Sequence, residues 1–270
     1  MRAAPTRIED LINLSRQAGE AILAIYDTDF PVQKKADSSP LTEADMAAHN
    51  IIVNELASLT PDIPVLSEES AAIPFEVRKS WNRYWLIDPL DGTKQFIMRN
   101  GEFTVNIALI DNHEPVLGII YVPVTGVTYY GQKEQGAFKL APNKKVEQIH
   151  AKQDRQQPLQ IARSRSHASD HLLSYLDELG DHKVTRMGSS LKSCLVAEGR
   201  ADLYPRLGPT SEWDTAAAQA IVEAAGGQIT DTNMQPLRYN TKASLLNPHF
   251  FVFGDSSIKW SNYLDANQAL

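Results

Sequence analysis

The chain has 270 residues, 43% of them hydrophobic, and its 26 basic and 33 acidic side chains give a formal net charge of −7. This length is enough to bury a core in one large domain or two smaller ones. The acidic balance excludes a sequence-independent grip on nucleic acid, because such a grip is built from Lys and Arg. We therefore expect no nucleic-acid partner, although metal ions can still supply the positive charge that a phosphate compound needs.

The single cysteine suits a reducing environment, and the absence of long apolar runs argues against a membrane-spanning segment. Cys194 excludes an intrachain disulfide and a cysteine-based zinc cluster, and its apolar neighbours favour a buried hydrophobic role. No segment approaches the roughly 18 consecutive apolar residues of a membrane span, and residues 1–20 lack the apolar core of a signal peptide. We expect a cytoplasmic protein without a transmembrane segment; peripheral attachment to the cytoplasmic side of the inner membrane stays open.

The first predicted element is a helix over residues 7–26, where apolar residues recur at helical spacing. Thr6 heads a capping-box pattern at its start. The polar loop that follows contains Lys34 and Lys35. The sequence leaves open whether these two lysines approach a binding site.

A second helix is predicted from a cap at Thr42 to the residue before Pro61, with Asp45 in its first turn. The apolar segment 64–66 then predicts a short strand that stops before Glu68. Acids at a strand end are usually exposed to solvent, but strand ends are also where α/β proteins place ligand-binding groups. Glu68 is thus a candidate metal ligand.

The stretch WLIDPLDGTKQF, residues 85–96, is the strongest candidate for a site. Its first three residues predict the end of a buried strand, and residues 88–92 then predict a turn. On a continuing strand Asp88 and Asp91 would point to opposite faces, whereas around a turn they can converge. Clustered carboxylates and backbone carbonyls, such as that of Leu90, are the oxygen ligands that Mg²⁺ prefers. Taken alone, the motif is also compatible with an ordinary Asp-Gly surface turn.

The rest of the chain divides into a meander of strands and an alternating segment. Four antiparallel strands make the first half α+β; we predict them at residues 103–110, 116–122, 127–130 and 136–140. The polar segment 141–158 marks the boundary between the halves. Beyond it we predict α/β alternation, with strands at 159–162, 183–187, 202–206, 228–230 and 250–253, and helices at 169–179, 191–198 and 213–225. Asp214 lies at the start of the last helix, where a carboxylate is also favoured simply as a cap.

Candidate acidic ligands occur at three places in the chain: Glu68, the pair Asp88 and Asp91, and Asp214. The motifs WLIDPLDGTKQF and EWDTAAAQAIVEAAGG resemble the signature of the inositol monophosphatase superfamily of metal-dependent phosphomonoesterases. Within it, RNGEFTVNIALID and GSSLKSCLVAEGRADLYPRLGPTSEWD are most similar to bacterial CysQ-type 3′(2′),5′-bisphosphate nucleotidases. The chain departs from that pattern at two positions, where Gln95 replaces an acid and Ser193 an aromatic residue; neither position is a metal ligand in the family.

The resemblance implies a layered αβαβα sandwich. Residues 1–157 would form an N-terminal α+β half with the metal site, and residues 158–270 a C-terminal α/β half with the nucleotide-binding surface. It also implies two to three Mg²⁺ ions. One would be held by Glu68, Asp88 and the Leu90 carbonyl, a second by Asp88, Asp91 and Asp214, and a weaker third would lie near Glu68 and Asp45.

The implied reaction is direct in-line hydrolysis of a phosphate monoester by a metal-activated water. Thr93, hydrogen-bonded to Asp45, would orient that water and help to deprotonate it. The implied substrate is adenosine 3′,5′-bisphosphate, converted to AMP and phosphate in sulfur assimilation, with its 5′-phosphosulfate form as a second substrate and Li⁺ as an inhibitor. The implied substrate-binding residues are Glu68, Leu90, Asp91, Gly92, Thr93, Gly188, Ser189, Ser190, Lys192, Arg206 and Asp214.

Several alternatives remain open. Lys192 and Arg206 are candidate cations for the phosphate that is not cleaved, but Lys192 is equally explained as a solvent-facing helix residue. His167 is more simply a surface histidine than a nucleotide contact. Inositol 1-phosphate or fructose 1,6-bisphosphate is an alternative substrate, and a nucleotide or Mg²⁺ sensor without turnover is an alternative class. A metal-independent hydrolase finds little support, since no G-x-S-x-G motif occurs. The sequence does not decide between a monomer and a homodimer.

Overall fold

The structure is a computed structural model that describes residues 7–28, 40–154, 157–165 and 169–264. Its strands are β1 (Val65–Ser67), β2 (Arg83–Asp91), β3 (Thr104–Asp111), β4 (Glu114–Val122), β5 (Val127–Gln132), β6 (Gly136–Leu140), β7 (Val146–Ile149), β8 (Leu159–Ser164), β9 (His182–Met187), β10 (Leu203–Arg206), β11 (Gln228–Asp231) and β12 (Phe250–Phe253). Its α-helices are α1 (Ile8–Tyr26), α2 (Pro40–Leu59), α3 (Phe75–Arg78), α4 (Thr93–Ile97), α5 (Asp170–Glu178), α6 (Leu191–Ala197) and α7 (Glu212–Ala224).

These elements stack in five layers, which confirms the predicted αβαβα sandwich. Helices α1 and α2 cover one face of a seven-stranded sheet, and α6 and α7 lie between its other face and a five-stranded sheet. Helix α5 and a short 3₁₀ helix at Trp260–Tyr263 cover the outer face of the second sheet. Each sheet therefore has a hydrophobic core on both of its faces, and three such cores separate the layers.

The first sheet runs in chain order from β1 to β7, antiparallel throughout except for the parallel pair β1 and β2. Strand β7 occupies a segment that the sequence analysis assigned to the polar boundary, so that part of the prediction was wrong. Three of its four residues are exposed. An edge strand needs only backbone pairing with its neighbour, and its polarity therefore hides it from a search for apolar patterns. Helix α3 was likewise not predicted.

The second sheet has the order β11-β12-β10-β8-β9. Strand β8 is parallel to both β9 and β10, whereas β12 is antiparallel to β10 and β11. The carboxyl ends of β8 and β10 therefore meet at one edge, where Ser164 and Arg206 lie. This edge is the expected position for a ligand in a sheet of this kind.

Helix α7 lies in a groove of small residues that crosses the first sheet. Ala108, Gly118, Gly131 and Ala137 are successive register partners on β3, β4, β5 and β6. A Cβ atom on Gly118 would come within 2.2 Å of the carbonyl oxygen of Ala217. This close packing fixes where the N-terminus of α7 lies.

Two helix starts differ from the sequence prediction. Helix α1 begins at Ile8 with Arg7 as an N-cap that makes no side-chain cap bond, and Thr6 lies outside the described residues. Helix α2 begins at Pro40, so Thr42 lies inside the helix and Asp45 in its second turn, not its first. Proline is favoured at a first helical position because its missing N–H has no partner there anyway. In the described part of the chain, none of the helices combines the length and apolarity that crossing a bilayer requires.

Candidate active site

Three carboxylates from distant parts of the chain meet at one point. Asp88 and Asp91 come from β2 and Asp214 from the first turn of α7, and one oxygen of each lies within 4.8 Å of the others. Asp214 also closes a capping box, in which its Oδ2 accepts the N–H of Ser211 at 2.8 Å. The convergence expected for these three acids is therefore present.

The route by which the first two acids converge differs from the prediction. Strand β2 does not end before Asp88; it continues to Asp91. Its pairing with β3 shifts between Asp88, opposite Asn106, and Asp91, opposite Thr104, so β2 carries one extra residue. Such a bulge re-aims side chains and tolerates the missing N–H of Pro89. A bulge, not a turn, brings together two acids that a regular strand would separate.

Asp88 and Asp214 have electrostatic environments that disfavour their ionised forms. Asp88 is 1% exposed, and its pKa is raised well above the ordinary value, first by burial and then by the charges of Glu68, Asp91, Asp214 and Asp45. Burial, followed by the charge of Asp91, raises the pKa of Asp214 to about 7. A cation bound among these groups would favour the ionised forms of Asp88 and Asp214. The donor set consists of hard oxygens, which fits a divalent ion such as Mg²⁺.

Glu68 and Asp45 face the same cluster from other elements. Glu68 opens a 3₁₀ turn directly after β1, and Asp45 lies on α2. The charges of both residues raise the pKa of Asp88, so both are electrostatic neighbours of the cluster. The structure thus brings all four acidic elements of the predicted metal site to one region.

A cavity of about 210 Å³ opens beside this cluster. Of the predicted site residues, it is lined by Asp91, Gly92, Thr93, Ser189, Ser190, Lys192, Arg206 and Asp214. It is also lined by residues that the sequence analysis did not assign to the site, namely Lys94, Ser164, Tyr204, Thr210, Thr215 and Phe250. The two departures from the family pattern, Gln95 and Ser193, are buried in its wall, so they bear on its shape.

Gly92 joins β2 to α4 at the mouth of the cavity. Its φ of 101° is in the left-handed region, and a Cβ atom there would lie 3.2 Å from the Cα of Phe103. Both facts require glycine at this position. Helix α4 then begins at Thr93. The predicted hydrogen bond between Thr93 and Asp45 stays a prediction.

Lys192 is buried, which excludes its interpretation as a solvent-facing helix residue. It is 7% exposed, its Nζ donates to the main-chain oxygen of Ser189, and it lies 5.2 Å over the ring of Tyr204. Burial lowers its pKa to about 8, although the charge of Asp91 acts in the opposite direction. Arg206 donates through Nη2 to the oxygen of Pro209 at 2.8 Å, and its buried Nε has no partner among the described residues. Both cations are therefore available to an anion in the cavity.

Ser189 and Ser190 contact Asp91 directly, at 2.7 Å from each hydroxyl to its Oδ2. Asn106 also donates to that oxygen, at 3.3 Å, and Thr104 Oγ1 lies 2.9 Å from the side-chain oxygen of Asn106. Asn106 and Thr104 were not among the predicted site residues. A signal for them existed, because two polar residues at alternate positions of the otherwise apolar β3 must share one face.

Some expectations are excluded or fall on residues outside the described ranges. Cys194 is buried, and burial raises the pKa of its thiol well above the ordinary value, so it is not a nucleophile. His167, Lys34 and Lys35 lie outside the described residues. Gly188 is buried, and its N–H donates to Glu102 at 2.8 Å.

Comparisons with known proteins agree with this geometry. The model of the inositol monophosphatase family matches residues 6–257. The 3′(2′),5′-bisphosphate nucleotidase CysQ of Salmonella typhimurium is 52% identical over 247 residues, which are 91% of this chain and 98% of that protein. The same-named protein of Escherichia coli K12 is 51% identical over 247 residues, with the same shares of both chains.

Solved structures give the same result. The crystal structure of CysQ from Bacteroides thetaiotaomicron, a bacterial member of the inositol monophosphatase family, has a TM-score of 0.82 and 44% identity, and the match covers 91% of this chain and 96% of that one. An inositol monophosphatase from Zymomonas mobilis has a TM-score of 0.78 at 25% identity over 96% of this chain and 99% of that one. The chain belongs to the inositol monophosphatase family.

Proposed function

We propose that the protein is a Mg²⁺-dependent 3′(2′),5′-bisphosphate nucleotidase that hydrolyses the 3′-phosphate of adenosine 3′,5′-bisphosphate to give AMP and phosphate. One observation carries this proposal: a single cavity is lined by the carboxylates Asp91 and Asp214 and by the cations Lys192 and Arg206. Similarity to CysQ nucleotidases over about nine tenths of the chain supports the substrate class. The 5′-phosphosulfate form is included as a second substrate.

Two to three Mg²⁺ ions are part of the proposal. Their ligands would be Glu68, Asp88, Asp91, Asp214 and the carbonyl of Leu90, with Asp45 nearby. Like charges and burial raise the pKa values of Asp88 and Asp214, which supports a cation at this point. When bound, Mg²⁺ supplies Lewis acidity and neutralises phosphate charge.

The remaining catalytic and binding roles are assigned to residues of the protein. Thr93 orients the attacking water, and Asp45 accepts its proton through Thr93. The backbone amides of Gly92 and Thr93 donate to oxygens of the phosphate that is cleaved, because glycine lets the main chain approach it closely. Lys192 and Arg206 bind the other phosphate. Positioning and charge neutralisation account for the rate, and no covalent phosphoenzyme is required.

The proposal extends to the organisation of the chain and its location. We assign the metal site mainly to residues 1–157 and the nucleotide-binding surface to residues 158–270. The protein would act in the cytoplasm as a monomer or a homodimer, either free or peripherally attached to the inner membrane. By hydrolysing adenosine 3′,5′-bisphosphate, the protein would take part in sulfur assimilation.

The test is phosphate release from adenosine 3′,5′-bisphosphate, inositol 1-phosphate and fructose 1,6-bisphosphate in parallel, with Mg²⁺, with EDTA and with added Li⁺. We expect release chiefly from the nucleotide, dependent on Mg²⁺ and inhibited by Li⁺. Release chiefly from a sugar phosphate would keep the metal site but refute the roles of Lys192 and Arg206. Activity that survives EDTA would refute the mechanism, and tight nucleotide binding without turnover would favour the sensor.

A further inference from the structure

One carboxylate oxygen of Asp91 receives three hydrogen-bond donors. Ser189 and Ser190 each donate to Oδ2 at 2.7 Å, and Asn106 Nδ2 donates to it at 3.3 Å. Three donors on one oxygen fix the orientation of the carboxylate. Because Oδ2 is occupied, Oδ1 is the oxygen that remains for a cation.

Thr104 lies behind this network and contacts two of the residues that surround Asp91. Its Oγ1 is 2.5 Å from Ser189 Oγ and 2.9 Å from Asn106 Oδ1. Asn106 Nδ2 donates to Ser190 Oγ at 2.9 Å. Ser190 therefore donates its hydroxyl hydrogen to Asp91 Oδ2. This acceptor is nearer than the main-chain oxygen of Asp214, which lies at 3.1 Å. Asn106 and Thr104 are both buried.

The backbone of the serine turn is adapted to this contact. Adjacent side chains in extended backbone point apart, but Ser189 has a φ of 50°, in the left-handed region that side-chain-bearing residues rarely adopt. This conformation lets both hydroxyls reach the same oxygen. Glu102 holds the turn by accepting the N–H of Gly188 at 2.8 Å, and Arg165 in turn donates to Glu102 at 2.7 Å through Nε. A strained conformation that is held this firmly is typical of a functional site.

We infer that Ser189, Ser190, Asn106 and Thr104 are positioning residues for Asp91 as a metal ligand, and that the two serine hydroxyls do not serve primarily as phosphate ligands. This inference rests on the proposed function for the metal role of Asp91. The serine turn also connects Asp91 with the proposed substrate-binding cation, because Lys192 Nζ donates to the main-chain oxygen of Ser189. The turn that holds the metal ligand therefore also holds the cation for the substrate.

The test is metal affinity, measured without substrate by calorimetric titration of the full chain with Mn²⁺. We expect Ser190→Ala to weaken binding by about tenfold, the usual effect of removing a partner that orients a metal ligand. Thr104→Val should weaken it in the same direction, and it provides a second variant if Ser190→Ala fails to fold. Thr128→Val is the matched control, because Thr128 is also a buried strand threonine of the first sheet and its hydroxyl has no partner in the described structure.

Kinetics at saturating Mg²⁺ separate positioning from substrate binding. We expect KM for the nucleotide to be nearly unchanged in Ser190→Ala, with a raised Mg²⁺ requirement. Unchanged Mn²⁺ affinity together with a raised KM would overturn the inference. The titration contains no substrate, so a wrong substrate assignment leaves it valid; lack of Mn²⁺ binding by the unaltered protein would instead overturn the proposed metal site itself.

Discussion

Asp214 links the protonation of the cluster to the stability of the metal-free protein. Its pKa is raised from 3.8 to about 7, so its protonated form is favoured by folding. The resulting stability is complete below pH 4 and is lost as pH rises to about 7. In EDTA, we expect the free energy of unfolding to fall over this range by about 2 to 4 kcal/mol, as measured by urea denaturation.

The matched variant is Asp214→Asn, which keeps an oxygen for the Ser211 cap. We expect it to flatten the pH dependence, and saturating Mg²⁺ to remove the slope in the unaltered protein, because a cation favours the ionised carboxylate. An equal slope in both proteins would assign the titration to other groups.

Lys192 gives a second prediction at the residue scale. Burial lowers its pKa to about 8, so it is a cation below that pH and neutral above it. We expect KM for the nucleotide to rise as pH passes 8 in steady-state kinetics. Lys192→Met should raise KM by about ten- to hundredfold at pH 7, because it removes a hydrogen bond to a charged group. The substitution should also flatten the dependence of KM on pH. A profile that is unchanged by the substitution would contradict the assignment.

At the scale of elements, the packing of α7 on Gly118 controls the position of Asp214. In Gly118→Ala the new Cβ would meet the carbonyl oxygen of Ala217 at 2.2 Å, and backbone atoms cannot rotate away. We expect a loss of about 1 to 3 kcal/mol from overpacking, together with weaker metal binding, measured by denaturation and by Mn²⁺ titration.

Gly208→Ala is the control for that substitution, because nothing lies within 4 Å of a Cβ at Gly208 and its φ is not positive. We expect its stability and metal affinity to stay close to those of the unaltered protein. Unchanged metal affinity in a destabilised Gly118→Ala would show that α7 does not position the ligand.

At the scale of the whole molecule, the proposed metal site joins elements that are far apart in the chain. Its acids come from α2, β2, α7 and the turn after β1, so a bound ion ties both outer and inner layers together. We expect Mg²⁺ at 100 times its Kd to stabilise the fold by about 2.7 kcal/mol, seen as a raised Tm. Asp91→Asn should abolish this rise and turnover while the metal-free fold stays intact, since one repulsive charge is removed. A Tm rise retained in Asp91→Asn would refute its role as a ligand.

Local patterns in the sequence were sufficient for most elements and for the identity of the acids. Helices α1, α5, α6 and α7 and the apolar strands were predicted to within a few residues, because their periodicity and end signals are encoded nearby in the chain. The exposed edge strand β7 was not, since backbone pairing alone holds it. The two long motifs were also sufficient to assign the inositol monophosphatase family.

Long-range packing decided how those acids form a site. The bulge in β2 depends on its register against β3, and the burial of Lys192 depends on the layer between the two sheets. The contacts of Asp91 with Ser189 and Ser190 join residues about 100 positions apart in the chain. No local pattern encodes such contacts, because they arise only when the layers pack together. The sequence alone therefore predicted which acidic side chains meet at the candidate site, and the tertiary structure determined their orientation, burial and partners.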